Sequence, residues 1–341
     1  MTSNRKVLVI GGGGYVGAVL VRRLLDRGFD VRVLDSFIYD NASSLDSLCD
    51  HPQFSLVVGD LRNAKDRTTS LAGVADVVLL ASLVGDPIGK KYPDLMRAIN
   101  LDASYALLND MDRMGIDRLV FTSTCSNYGL RDTDDPADEN ALLKPLSLYA
   151  ETKVAMENRL LSERNSWAFT PIILRIATAF GASPRMRFDL TVNEFTRTMA
   201  NQDELVVYDK ETWRPYCHVR DIAKAIILVL EANGDSFTGP DVFNVGGDEN
   251  NYTKAMIVEE ILKTVSGKYR FVDKGLDARN YKVSFKKIHS ELGFVPDYSV
   301  SEYIVRLANA IRNGVYAGVD KNPEVFGNYR IIENGTTLPF K

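Results

Sequence analysis

The segment 7–17 has the sequence VLVIGGGGYVG, and it predicts how the first half of the chain is built. Its first four residues, Val7 to Ile10, form a continuous apolar run, which is typical of a strand buried on both faces of a parallel sheet. Four glycines follow, and an apolar stripe through Val16, Leu20 and Leu24 then predicts a helix. Strand, glycine turn and helix in this order predict a βαβ unit with the turn at the helix N-terminus.

The glycine turn predicts a binding site for a dinucleotide. Glycine has no Cβ, so glycines at positions 11, 14 and 17 allow a pyrophosphate to approach the backbone amides at the start of the helix. An isolated glycine turn would be weak evidence, but here a buried strand precedes it and a helix follows. We therefore expect Gly11, Gly14, Tyr15, Val16 and Gly17 to contact a cofactor.

Two aspartates at later strand ends extend this predicted site. Asp35 ends the second strand, where a carboxylate accepts hydrogen bonds from ribose hydroxyls and repels a 2′-phosphate, which favours NAD over NADP. Asp60, followed by Leu61, ends the third strand and is placed to accept from the adenine amino group. The alternatives are a helix-capping aspartate at 35 and a turn aspartate at 60.

Alternating strand and helix patterns predict an α/β fold with a doubly wound parallel sheet, Rossmann-like, and a smaller C-terminal α/β substrate domain. Further strands are expected at 54–58, 77–80, 119–121 and 172–174, and long helices at 95–114 and 147–164. We expect an NAD-binding domain over residues 1–176, to which about 213–245 returns, and a substrate domain from 177–212 and 246–341. Residues from about 317 onward, rich in Asn and Gly, are expected to form a surface extension.

Composition and charge exclude several classes of binding partner. The chain has 341 residues and a net charge of −4, which favours neither nucleic acid nor an anionic membrane. Three cysteines and three histidines are too scattered for a metal site, and no apolar run approaches the roughly 20 residues of a membrane span. We therefore expect no metal, no nucleic acid and no membrane partner, and a cytoplasmic location.

A tyrosine and a lysine four positions apart, Tyr149 and Lys153, share one face of the second long helix. A tyrosine that acts as general acid and base needs its pKa of about 10 lowered, and a lysine ammonium beside a nicotinamide cation would lower it. Thr124 ends a polar stretch after the fifth strand and is placed to hydrogen-bond the same substrate oxygen. The alternative is that Tyr149 and Lys153 are two surface residues.

Together these motifs resemble the extended short-chain dehydrogenase/reductase family, and within it the nucleotide-sugar 4-epimerase group, over about residues 6–310. The glycine triplet, Thr124 before the pair Tyr128-Gly129, Tyr149 and Lys153 carry the resemblance. It implies that Ala81, Ser82 and Asn100 also hold NAD, and that the two long helices pair across a homodimer axis. It further implies a nucleotide-diphosphate sugar as substrate, bound by Thr124, Thr178, Asp189, Leu190, Arg214 and Arg279.

The chain departs from the family pattern at several positions, and these departures limit which of the family's reactions we expect. Sugar 4,6-dehydratases carry Asp-Glu where this chain has Cys125 and Ser126, so loss of the C6 hydroxyl is disfavoured. Many 4-epimerases have asparagine in place of Thr178 and lysine in place of Val84. We therefore expect the segment 183–190, which contains two arginines, to supply replacement cations. Cys125 is expected to be a packed small residue rather than a nucleophile.

The expected activity is NAD-dependent oxidation at C4 of a nucleotide sugar. Rotation of the 4-keto sugar and return of the hydride give a 4-epimerase, whereas release of the ketone gives a C4 dehydrogenase, and the reverse direction gives a ketoreductase. These outcomes use the same residues and stay open at this point. A non-catalytic dinucleotide-sensing protein would keep the glycine turn without needing Thr124, Tyr149 and Lys153 together.

Overall fold

A computed structural model describes residues 5–131, 134–232, 236–237, 239–275, 279–333 and 335–338. The strands are β1 Lys6–Ile10, β2 Asp30–Asp35, β3 Phe54–Val58, β4 Asp76–Leu79, β5 Arg118–Thr124, β6 Thr170–Ile176, β7 Thr178–Phe180, β8 Leu205–Tyr208, β9 Trp213–His218, β10 Asp241–Val245, β11 Asn251–Thr253, β12 Tyr269–Val272, β13 Ile331–Glu333 and β14 Thr336–Leu338. The α-helices are α1 Tyr15–Leu25, α2 Ala64–Leu71, α3 Asp86–Lys91, α4 Pro93–Arg97, α5 Ser104–Met114, α6 Leu148–Ser162, α7 Thr191–Ala200, α8 Val219–Glu231, α9 Lys254–Leu262, α10 Lys286–Leu292 and α11 Val300–Arg312.

The central sheet has seven parallel strands among the described residues, in the order β10-β6-β5-β4-β1-β2-β3. Side chains of β1 alternate between its two faces: Val7 and Val9 belong to one buried apolar cluster, and Leu8 and Ile10 to the other. Burial on both faces explains the continuous apolar run and confirms the predicted doubly wound sheet. The strand order reverses between β1 and β4, where ligands bind in such sheets.

A second region packs around its own apolar core, which includes Phe180, Val192, Ile257 and Ile304. Here β9 pairs with β7 and β11, and β8 pairs with β12. Within the segment predicted to return to the first domain, α8 packs against α1 and β10 joins the central sheet, whereas β9 lies in the small sheet. The division into a cofactor domain and a substrate domain remains a proposal.

The first long helix is interrupted. The predicted span 95–114 is divided into α4, a π-helical stretch at Ala98–Ala103 and α5, which ends at Gly115 in the left-handed region. A π-helical turn inserts one residue into the helix and is frequent at functional sites. In this chain the turn contains Asn100, one of the predicted cofactor residues.

Residues 326–333 are partly buried in the fold, contrary to the expectation that the chain forms a surface extension from about residue 317. Ile331 is fully buried, and Gly327 and Asn328 are also buried. The polar composition of this segment gave the wrong expectation, because a few apolar side chains are enough to hold a segment in place when a complementary apolar surface exists.

The part of the chain that the structure describes contains neither a membrane span nor a metal-site cluster. No helix there is both long and apolar enough to cross a bilayer. Nor do three or more His, Cys, Asp or Glu side chains come together there as a possible metal site.

Candidate active site

The glycine turn forms a cradle that larger side chains would fill. Gly11 has a φ of +88°, and a Cβ there would lie 2.7 Å from the backbone nitrogen of Ala81. A Cβ on Gly17 would lie 2.2 Å from the carbonyl oxygen of Gly11. Gly14 is the N-cap of α1 and has no side-chain cap, so amides at the helix start remain for a ligand. The cradle therefore fits the pyrophosphate of a dinucleotide.

Asp35 lies at the end of β2, beside this turn. Its carboxylate accepts hydrogen bonds from the amides of Gly13 and Phe37, each at 2.8 Å. Burial raises the pKa of Asp35, while these two hydrogen bonds and the charge of Arg185 act in the opposite direction. The carboxylate thus braces the glycine turn, at the strand end where the ribose is predicted to bind.

The predicted adenine side is more crowded than the sequence suggested. Burial alone would raise the pKa of Asp60, but hydrogen bonds and charge from Arg62 lower it. Arg62 bonds Asp60 at 2.7 Å and also pairs with Glu333 at 2.6 Å. Leu61 is buried, and its carbonyl accepts from Arg67. Any contact of Asp60 with an adenine would therefore form beside an arginine.

We expect Asp35→Ala to narrow the preference for NAD over NADP, because the carboxylate that repels a 2′-phosphate is removed. Affinity for NAD should also fall, since Gly13 loses its partner. Fluorescence titration with both nucleotides measures each effect. An unchanged ratio of the two dissociation constants would contradict the assigned role. Asp50→Ala, at an exposed aspartate outside the predicted site, is the control and should leave both affinities unchanged.

Asn100 fixes the loop after β4, which contains Ala81 and Ser82. Its amide group accepts from the nitrogen of Leu83 at 2.9 Å and donates to the carbonyl of Leu83 at 3.0 Å. It also donates to Thr152 Oγ1 on α6 at 3.2 Å. Asn100 thus ties the loop beside the glycine turn to the helix that carries the tyrosine and lysine.

Thr124, Tyr149 and Lys153 come together at the carboxyl end of β5. The side chain of Thr124 lies beside the phenol of Tyr149 and acts to lower its pKa. Lys153 Nζ donates to the carbonyl of Thr122 at 2.8 Å and lies 5.8 Å from the centre of the Tyr149 ring. The helix α6 is held in register by Ser147, whose hydroxyl accepts from the Ala150 amide. The surface-residue alternative does not fit Lys153, which is buried.

Burial favours the neutral forms of both Tyr149 and Lys153. Burial raises the pKa of Tyr149 to about 12, although the side chain of Thr124 and the charge of Arg187 lower it. Burial lowers the pKa of Lys153 to about 7, against the charge of Glu157, which raises it. A cation placed beside Tyr149 would favour its phenolate, so this environment is suited to a tyrosine that changes charge only when a cationic ligand is bound.

Lys153→Met tests the lysine environment. Its folded pKa of about 7 lies below its ordinary 10.5, so the unfolded chain binds more protons between these pH values. The free energy of unfolding of the wild type, relative to Lys153→Met, should therefore increase from pH 7 to pH 10. Urea denaturation at both pH values measures it. Lys263→Met, at an exposed lysine, should show no such increase. If the difference in free energy of unfolding between the wild type and Lys153→Met were the same at pH 7 and pH 10, the pKa of Lys153 would not be lowered by burial.

The two predicted diphosphate arginines are adjacent. Arg214 is buried, lies 5.2 Å from the ring centre of Tyr281 and donates to the carbonyls of Trp213 and Arg279. Arg279 approaches Asp86 at 3.5 Å. A cleft of about 570 Å³ is lined by both Tyr149 and Arg279, and further basic side chains there are Lys90, Arg97 and Lys254. Tyr149 and these cations thus share one cleft.

The remaining predicted substrate residues lie on β7 and before α7. Thr178 begins β7 and is half-buried, and Leu190 is the N-cap of α7. The carboxylate of Asp189 accepts two hydrogen bonds from Arg187, at 2.9 and 2.6 Å. Arg185 instead lies over the ring of Tyr39, in the loop after β2. Of the two arginines in the segment 183–190, Arg185 therefore lies toward the predicted adenosine end of the cofactor site.

A buried network of an ion pair and hydrogen bonds lies beneath the site and was not predicted from the sequence. Glu157 accepts three hydrogen bonds from Arg175, at 2.7, 3.0 and 3.3 Å, and also accepts from Ser123 and Asn127. It joins α6 to the end of β5, and so helps to fix the position of Thr124 against the helix. The signal was present, because Glu157 continues the four-residue spacing of Tyr149 and Lys153.

Cys125 is packed beneath the same strand end. Its thiol is buried, donates to the carbonyl of Arg175 at 3.1 Å, and has a pKa raised by burial. A buried thiol with a raised pKa is a poor nucleophile.

The family model for NAD-dependent epimerases/dehydratases matches residues 7–246. A UDP-glucose 4-epimerase of Corynebacterium glutamicum is 27% identical over 329 residues, covering 91% of this chain and 96% of that protein. The low-salt glycan biosynthesis protein Agl12 of Haloferax volcanii is 30% identical over 308 residues, covering 87% and 95%. The structure of DesIV, a dTDP-glucose 4,6-dehydratase from Streptomyces venezuelae with NAD bound, matches with a TM-score of 0.81 and 25% identity, covering 90% and 97%.

The matched span begins in β1 and ends just beyond β10, so it includes the whole central sheet, the glycine cradle and the Tyr149 and Lys153 pair. The predicted family, cofactor and class of activity are confirmed. This chain belongs to the NAD-dependent epimerase/dehydratase family and is an NAD-dependent enzyme of the extended short-chain dehydrogenase type.

Proposed function

We propose that the protein is a nucleotide-sugar 4-epimerase. The observation that carries the proposal is that Tyr149, which lies beside Thr124 and Lys153, lines the same cleft as Arg279. This arrangement combines proton transfer with recognition of a diphosphate. Arg214, next to Arg279, is assigned to the same diphosphate, and Thr178, Asp189 and Leu190 are proposed as further substrate-binding residues.

The residues that would hold NAD are those of the glycine cradle, Asp35, Asp60, Leu61, Ala81, Ser82 and Asn100. When bound, NAD would supply a hydride acceptor and donor for C4 of the sugar. Tyr149, as phenolate, takes the proton of the C4 hydroxyl and later gives it back. Thr124 orients the same oxygen, and the charge of Lys153 stabilises the phenolate. Rotation of the 4-keto sugar between the two steps inverts C4.

A 4,6-dehydratase is the second candidate, because DesIV has this fold and a comparable identity. Two residues of this chain, Cys125 and Ser126, do not support a dehydratase. Cys125 is buried and has a raised pKa, and the hydroxyl of Ser126 accepts a hydrogen bond from Tyr281 at 3.3 Å. Neither side chain is a carboxylic acid able to protonate a departing C6 hydroxyl.

The test is incubation of the purified protein with a panel of nucleotide sugars, beginning with UDP-glucose, the sugar named for the Corynebacterium relative. We expect a product inverted at C4 and no net rise in absorbance at the NADH wavelength. Accumulating NADH with a 4-keto sugar would identify a dehydrogenase, and a 6-deoxy-4-keto sugar a dehydratase. Binding of NAD without conversion of any sugar would favour a sensing protein.

We also propose a homodimer in the cytoplasm, assembled through α5 and α6. Both helices present half-buried apolar side chains, among them Tyr105 and Leu161, and Arg159 lies over the ring of Tyr105 at 4.5 Å. Sedimentation at micromolar concentration should give twice the chain mass. Leu161→Glu should shift the species to a monomer, whereas Leu142→Glu, at an exposed site outside both helices, should not. A wild-type monomer would contradict the assembly.

A further inference from the structure

Residues 326–333, which we call the strap, cross the crevice in which the cofactor is proposed to lie. The amide of Ile332 donates to the carbonyl of Ile38, in the loop after β2, at 2.7 Å. Ile331 is fully buried in an apolar cluster with Leu83, from the loop after β4. Since β2 and β4 flank β1 on opposite sides, the strap joins the two walls of the crevice.

The strap also spans the crevice lengthwise. Glu333 pairs with Arg62, which holds Asp60 at the predicted adenine end. At the other end, Tyr149 packs against the cluster that contains Ile331. The two ends of the proposed dinucleotide site are thus connected by three consecutive residues.

Its start is fixed to the second region of the molecule. The carbonyl of Phe326 accepts from the amide of Phe188, the carbonyl of Gly327 accepts from Arg185 at 3.0 Å, and the amide of Asn328 donates to Asp189. All three partners lie in the segment 183–190. The strap is therefore anchored on both sides, and cannot move aside without breaking contacts with several elements.

We propose that the strap is the outer wall of the NAD site and sets how slowly NAD leaves. The inference rests on the proposed function, because it places the dinucleotide between Asp60 and Tyr149. A wall that must open before release slows dissociation, which suits an enzyme that returns the hydride to the same sugar and needs no exchange of cofactor. The strap would thereby favour epimerisation over release of a 4-keto sugar.

Ile331→Asp tests the proposal, because a carboxylate in the apolar cluster loosens the strap without touching the glycine cradle. Protein loaded with radiolabelled NAD is chased with unlabelled NAD, and the bound label is followed by filtration. We expect release at least about tenfold faster, since burying an unpaired charge typically costs more than 1.4 kcal/mol. Val325→Asp, the same change at an exposed neighbouring position, should release NAD at the wild-type rate.

Glu333→Gln is the milder variant, in case Ile331→Asp unfolds. It keeps the shape of the side chain and removes a partly exposed ion pair, so release should accelerate about two- to fivefold. Wild-type release rates in folded variants would overturn the proposal, as would tighter NAD binding by Ile331→Asp, which would mean that the strap occupies the cofactor's own place. Slow release without conversion of any sugar would defeat the proposed function but leave the strap intact.

Discussion

Tyr149→Phe is expected to lower turnover at least about 100-fold while NAD and nucleotide sugar still bind. General acid–base catalysis typically supplies about 10²–10⁴-fold, and the substitution removes the phenol oxygen but keeps the ring. The ring packs against the apolar cluster of Leu83 and Ile331, so the fold should be retained. Initial rates of C4 inversion, with NAD binding measured on the same preparation, give both quantities.

Thr124→Val serves as the graded comparison. It removes a hydrogen bond that positions the oxygen but leaves the base, so its loss should be smaller than that of Tyr149→Phe. Tyr105→Phe, on α5, is a matched control, because its hydroxyl lies outside the cleft and only approaches the carbonyl of Ala155 at 3.5 Å. Near-wild-type turnover in Tyr149→Phe would remove the basis for the mechanism.

Gly17→Ala is expected to weaken NAD binding about 5- to 140-fold, because overpacking typically costs about 1–3 kcal/mol. The added Cβ would lie 2.2 Å from the carbonyl oxygen of Gly11 and 2.7 Å from the Cα of Gly12. Both neighbours are backbone atoms, so the turn itself must shift, and with it the amides that face the pyrophosphate. Equilibrium titration with NAD measures the loss, and thermal unfolding shows whether the fold is also weakened.

Gly318→Ala is the matched control, since a Cβ there meets nothing within 4 Å and its φ is not in the left-handed region. Its NAD affinity should equal that of the wild type. If Gly17→Ala bound NAD as tightly as the wild type, the cradle would not be the pyrophosphate site.

The sequence determined the central fold and the chemistry that sits on it. The apolar run of β1 predicted a sheet buried on both sides, and the four-residue spacing of Tyr149 and Lys153 predicted that both face one way from α6. Signals of this kind survive in sequence because they are periodic within one element and depend on the geometry of a single strand or helix. The glycine turn belongs to the same class, since the absence of a Cβ is a local property.

Only the tertiary structure decided which distant segments meet. Arg185 comes after β6 and β7 in sequence but lies over Tyr39 in the loop after β2, and Glu333 pairs with Arg62 from the other end of the chain. Ile331 stands in a polar segment, and its burial depends on a surface formed by Leu83, Ile88 and Met96. Burial and pairing of this kind are properties of assembled surfaces, so no periodicity along the chain records them.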